Sequence, residues 1–163
     1  MQRQNRFEYI KIFFIILFAF ILQIYLVPVL EINVWRPDLI LIVILFMGYK
    51  YGAVTGTIVG FALGLFQDSL SANPIGISSF ANSIVGFLAG SFREFKIKSN
   101  TAYLTTILLL LLHGFLFYLL YHIKSEASYT FLIFTRIFPN TIYSFLVWLV
   151  VSNFFKSIIE QPE

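Results

Sequence analysis

Cysteine and charged side chains are the residues that this 163-residue sequence lacks or has little of. It has no cysteine, and only 12% of its residues are charged, against about 25% in a soluble domain. Without cysteine there is no disulfide, thiolate nucleophile or thiolate metal ligand. Because 59% of the residues are hydrophobic and the mean hydropathy is +0.86, too few polar side chains remain to cover a soluble globule. The composition predicts a single-domain integral membrane protein.

The residues that membrane enzymes use for catalysis are also scarce. The two histidines, His113 and His122, are nine positions apart and lie on different faces of a helix. Neither has an acidic residue at ligand spacing, so we expect no metal site, and we expect no cofactor. His113 lies inside an apolar run, where a polar group is a functional candidate. A hydrogen bond to a neighbouring helix is our preferred interpretation, and a proton or metal role is the alternative.

Four glycines at four-residue spacing dominate the middle of the sequence. They would form a shallow groove on one side of a helix, and Asp68 is the next residue in the series. In water each such glycine costs about 0.5–1 kcal/mol relative to alanine, but in a membrane small residues let a second helix approach closely. A second pair with the same spacing follows. The candidate helix-packing or partner-binding positions are Gly52, Gly56, Gly60, Gly64, Gly86 and Gly90.

The apolar runs predict six transmembrane helices in one domain. A typical membrane core of about 30 Å needs about 20 apolar residues. The second run reaches only about 20 Å, so it crosses only if Pro37 and Asp38 lie below the membrane surface. The last run is overlong, and we expect a kink near Pro139. The predicted spans are residues 12–30, 37–50, 52–68, 76–92, 101–121 and 129–155.

Basic residues predict the orientation of these spans. With a cytoplasmic N-terminus, eight of the eleven lie on the cytoplasmic side and three lie outside or buried, as the positive-inside rule requires. Both termini are then cytoplasmic, and the basic pI of about 9.2 reflects topology rather than nucleic-acid binding. The cytoplasmic set is Arg3, Arg6, Lys11, Lys50, Arg93, Lys96, Lys98 and Lys156; the other set is Arg36, Lys124 and Arg136.

A few polar residues interrupt or border the apolar runs. Asp38 follows Pro37 at a helix start, where an N-capping carboxylate is favoured. Asp68 continues the glycine face, so it either faces water at the end of the span or meets a partner. Arg136 either extends its side chain to water or forms an ion pair with Asp38 or Asp68. Asn82 is a further candidate buried polar group.

A family resemblance becomes visible in WRPDLILIVILFMGYKYG, the glycine series, and GLFQDSLSANPIGISSFANSIVGFLAG. These stretches resemble the rod shape-determining protein MreD family, which has an Arg-Pro-Asp/Asn start to a short apolar helix and a glycine-rich helix ending in G-x-x-x-D. The matching positions are Arg36, Pro37, Asp38, Gly60, Gly64, Asp68, Ser71, Pro74 and Gly76, while Ala72 stands where the family usually has glycine.

The resemblance implies a non-enzymatic subunit of the bacterial cell-elongation machinery in the cytoplasmic membrane. Members associate with MreC and help couple the MreB filament to the peptidoglycan polymerase RodA and its transpeptidase partner. The family is also similar in fold to the small substrate-binding subunits of energy-coupling-factor vitamin transporters. A small-molecule-binding transport subunit is therefore the alternative function, with Asp68, Asn82 and residues 69–78 as pocket candidates.

Overall fold

A computed structural model describes residues 2–71, 75–94, 99–123 and 128–154; Pro74 lies outside them. In these ranges the chain is helical without a regular strand, which confirms the predicted all-α class. The helices are α1 (Gln2–Tyr25), α2 (Leu39–Tyr51), α3 (Ala53–Leu70), α4 (Ile77–Glu94), α5 (Ser99–His122), α6 (Tyr129–Leu132) and α7 (Phe138–Phe154). A π-helical turn, Ile133–Ile137, joins α6 to α7.

Three helical stretches of the described residues are long and apolar enough to cross a membrane: Ala53–Leu70, Thr101–His122 and Tyr129–Asn153. Three shorter apolar stretches are Ile12–Tyr25, Leu39–Tyr51 and Ile77–Phe92. The first helix ends at Tyr25 rather than near residue 30. Pro28 has no N–H to continue the helical ladder, and residues 26–29 form turns before the loop that leads to α2.

The short helix α2 is the centre of the bundle. It packs against α1, α3, α4 and α7, and eight of its thirteen residues are buried. Ile40 and Ile44 face a cluster shared with α1, whereas Leu41 and Leu45 face a cluster shared with α4 and α5. A helix that is apolar on every side is typical of a position enclosed by other helices.

The glycine groove on α3 is filled by α4 of the same chain. A methyl group on Gly60 would overlap the backbone of Asn82, lying 2.7 Å from its carbonyl carbon, and Gly56 and Gly86 face each other so closely that neither has room for a side chain. Gly64 lies against the backbone of Ser79 in the same way. The groove is therefore an internal packing surface and is not open to a helix of another subunit.

Gly52 and Gly90 contribute differently from the central glycines. Gly52 connects α2 to α3 with φ of 93°, a conformation that glycine adopts without steric cost. Gly90 of α4 lies against the backbone of Gly52 and Ala53. Gly52 therefore belongs to the series of glycines at four-residue spacing, but its main role is to form the sharp turn between α2 and α3.

Candidate functional site

Asp68 anchors the start of α4. Its Oδ2 accepts hydrogen bonds from the backbone N–H of Gly76 (2.8 Å) and Ser79 (3.3 Å) and from the Ser79 hydroxyl (3.1 Å), and its Oδ1 accepts from Ser78 N–H (3.0 Å). The first N–H groups of a helix have no partner within the helix. Asp68 is only 1% exposed, so water cannot replace it. The carboxylate at the end of the glycine series is an N-cap supplied by another helix.

Residues 34–38, which lead into α2, run along one face of the final helical segment. Arg136 Nη1 donates to the Val34 carbonyl (2.9 Å), Arg36 N–H to Asn140 Oδ1 (3.0 Å), and Asp38 N–H to Ser144 Oγ (2.9 Å). Four helical residues advance about 6.0 Å, and two extended residues about 6.6 Å. Every second residue of 34–38 therefore meets every fourth residue of the helix, and both run in the same direction.

Pro139 contributes a further contact between these segments. Because proline has no N–H, it cannot bond to the carbonyl of the residue four positions earlier. That residue is Thr135, and its carbonyl accepts a hydrogen bond from Trp35 Nε1 at 3.1 Å. The π-helical turn Ile133–Ile137 ends just before Pro139, at the place where the sequence predicts a kink.

The N-terminus of α2 is capped by side chains. Asp38 Oδ1 accepts from Leu41 N–H at 2.9 Å, which confirms the predicted N-cap, and Gln23 Oε1 accepts from Leu39 N–H at 2.8 Å. Pro37 is fully buried. A backbone N–H that is shielded from water needs a protein partner, and these contacts supply one for the N–H groups of Leu39 and Leu41.

The predicted ion pair between Arg136 and Asp68 or Asp38 is absent. Arg136 bonds to a carbonyl, and both oxygens of Asp68 are occupied by donors from the start of α4. Within the described residues, the one ion pair joins Arg36 Nε to Glu31 Oε1 at 2.8 Å, and the Arg36 side chain is 58% exposed. The Asp68 carboxylate, already saturated by donors from the start of α4, gains little from a cation, which explains why it does not pair with Arg136.

A cavity of about 240 Å³ lies below residues 36–38. Its wall combines the α2 start with polar and aromatic side chains from five other helical segments. The lining residues that carry polar side chains are Gln23, Arg36, Asp38, Gln67, Ser78, His113, Tyr118, Asn140, Thr141 and Ser144. Arg36, Asp38 and His113 were candidate site residues, and Ser78 belongs to the predicted pocket segment 69–78; the others were not predicted. The predicted pocket candidates Asp68 and Asn82 are not among the lining residues.

Two buried side-chain atoms have no hydrogen-bond partner among the described residues: Nε2 of the lining residue His113, and Asn82 Oδ1. Since His113 Nε2 has no partner there, the preferred interpretation of a hydrogen bond to a neighbouring helix fails for this atom. The imidazole ring stacks on Phe117 with ring centroids 6.1 Å apart. Asn82 Nδ2 donates to Gln67 Oε1 at 3.2 Å. The described residues contain no cluster of three potential metal ligands.

The spacing of Arg136, Asn140 and Ser144 is the signal that could have located this site. Three polar residues four positions apart in an apolar helix form a polar stripe, just as the glycines form a groove. The stripe faces the Arg-Pro-Asp segment. Gln23 of α1 contacts the next residue of the chain, because its Oε1 accepts from Leu39 N–H.

A family model described as rod shape-determining protein MreD matches residues 2–158, which is nearly the whole chain. Neither a curated protein nor a solved structure matches the chain.

Proposed function

Because the chain belongs to the rod shape-determining protein MreD family, we propose that it is a non-enzymatic membrane scaffold of the bacterial cell-elongation complex. In this role it binds MreC and helps couple MreB filaments to peptidoglycan synthesis by RodA and its transpeptidase. The match over residues 2–158 carries the proposal. Tight backbone packing of α3 on α4 supports it, since a rigid body suits a scaffold.

We place the chain in the cytoplasmic membrane as six crossings with both termini in the cytoplasm. The eight-to-three division of basic residues supports this orientation. The contacts of residues 34–38 with the π-helical turn and α7 also support it. The two segments run in the same direction, as the second and sixth crossings must in this topology. The capped starts of α2 and α4 and the cavity between α2, α5 and α7 then lie on the non-cytoplasmic side.

Reporter fusions test this topology. A reporter joined after Lys98 should report a cytoplasmic location, whereas reporters joined after Asn73 or Ser125 should report a non-cytoplasmic location. A C-terminal fusion should again be cytoplasmic. A C-terminal reporter on the outside would contradict six crossings.

Purification from native membranes tests the function. The tagged protein should copurify with MreC, and with MreB, RodA or the transpeptidase at lower yield, whereas an unrelated tagged membrane protein should not. Recovery of a pair of ATPase subunits in place of elongation proteins would contradict the scaffold.

That second outcome belongs to the alternative function, a small-molecule-binding subunit of an energy-coupling-factor vitamin transporter. The cavity is the observation that favours it, because polar and aromatic side chains converge there as they do in ligand sites. The family match favours the scaffold, which remains our first proposal.

A further inference from the structure

The cavity between α2, α5 and α7 is large enough for a small molecule or for one polar group of a larger molecule. Its volume of about 240 Å³ corresponds to roughly eight water molecules at about 30 Å³ each. Drug-sized ligands occupy larger pockets, of about 300–1,000 Å³. A cavity of this size suits a small molecule or the head group of a larger one.

The wall disfavours an anion. Helix N-termini bind anions through free N–H groups, but Asn140, Ser144, Gln23 and Asp38 already accept from the N–H groups at the α2 start. The Asp38 carboxylate in the same wall would also repel negative charge, and the Arg36 guanidinium in that wall is already paired with Glu31 Oε1 at 2.8 Å.

Asp38 provides acceptor capacity that the protein leaves unused. Oδ1 accepts from Leu41 N–H at 2.9 Å, but the contact of Oδ2 with Gln67 Nε2 is long, at 3.5 Å. Each carboxylate oxygen accepts two hydrogen bonds. Within the described residues no cation pairs with Asp38, and an unpaired carboxylate at membrane depth is costly.

Other side chains that line the cavity can accept hydrogen bonds. His113 lines the cavity, and its Nε2 is buried without a partner in the described chain. The hydroxyl groups of Tyr118, Thr141 and Ser144 also belong to wall residues. An ammonium group has three N–H donors and one positive charge, so it complements a carboxylate flanked by neutral acceptors.

We propose that this cavity binds a primary ammonium group, held by Asp38 and supplied by the ethanolamine head group of a lipid or by a small soluble amine. The proposal rests on the cavity and its wall. It is independent of the scaffold function, because a binding measurement on the purified protein involves no elongation protein.

The experiment compares ligands that differ only in methylation of nitrogen. The full-length protein in detergent is titrated with short-chain phosphatidylethanolamine and phosphatidylcholine, and with free ethanolamine and choline, by native mass spectrometry and thermal shift. The quaternary ammonium of choline has no N–H to donate. Phosphatidylethanolamine should bind roughly tenfold or more tightly than phosphatidylcholine, since the bonds lost involve charged groups. Discrimination by the lipids alone identifies a lipid source, and discrimination by the free amines as well identifies a soluble amine.

Asp38→Asn is the informative variant. Asparagine is as good an N-cap as aspartate, so the variant should fold with an unchanged unfolding temperature but lose the preference for the primary ammonium. Glu94→Gln removes a carboxylate at the far end of α4 from the lining residue Ser78 and should keep the preference. Equal binding of methylated and unmethylated ligands would overturn the site, and so would an undiminished preference in Asp38→Asn or an equal loss in Glu94→Gln.

Discussion

Gly60→Leu should unfold the bundle at a much lower temperature than Ala62→Leu, although both variants introduce the same side chain. Gly60 lies against the backbone of Asn82 and Ser83, so a side chain there cannot be accommodated by rotation of a neighbouring side chain. The axes of α3 and α4 must separate, and several close contacts are lost together. Overpacking typically costs roughly 1–3 kcal/mol, and we expect Gly60→Leu at or above the upper end.

Ala62 is the matched control because it lies on the exposed side of α3. A leucine there meets lipid or detergent and should change the unfolding temperature little. Gly60→Ala should fall between the two, because alanine gains about 1 kcal/mol of helix propensity over glycine but its methyl group still overlaps the backbone. Equal unfolding temperatures for Gly60→Leu and Ala62→Leu, measured in the same detergent, would refute the internal groove.

Asp68→Ala should produce the other large loss of stability. The substitution leaves three backbone N–H groups and the Ser79 hydroxyl without their acceptor in a buried position. Each unsatisfied buried group costs about 1–3 kcal/mol, so we expect a total loss of at least about 3 kcal/mol. Asp68→Asn keeps one acceptor oxygen and should lose less.

A double-mutant cycle with Arg136 distinguishes this capping role from an ion pair. Arg136→Ala removes one hydrogen bond from a charged donor to the Val34 carbonyl and should cost roughly 1.5–3 kcal/mol. Because the two side chains share no partner, the changes in unfolding free energy should add to within about 0.5 kcal/mol. A double variant clearly less destabilised than the sum would restore the ion pair and contradict the capping role.

The features that the sequence predicts correctly are those encoded by local spacing. Glycines at intervals of four identify a face for close helix contact, and Pro37-Asp38 marks the start of α2. Both are properties of one helix and need no knowledge of its neighbours. The glycine series also indicates the face on which Asp68 lies, although not what it meets there.

The partners of Asp68 and Arg136 could not be derived in the same way. Asp68 meets backbone N–H groups of α4, and Arg136 meets a backbone carbonyl. Backbone groups are identical at nearly every residue, so no side-chain pattern identifies them. Arg136, Asp38 and Asp68 are the charged residues nearest the apolar runs, so the sequence favours an ion pair between them. The backbone groups at buried helix ends also need partners, and a side-chain pattern does not show them.

Cell width in the native host tests the scaffold function most directly. Depletion of the protein should turn rod-shaped cells round, and expression of the wild type or of Ala62→Leu should restore normal width, whereas Gly60→Leu should not, because its α3 and α4 cannot pack. Cells that keep their width through complete depletion while vitamin uptake falls would contradict the scaffold and favour the transport subunit.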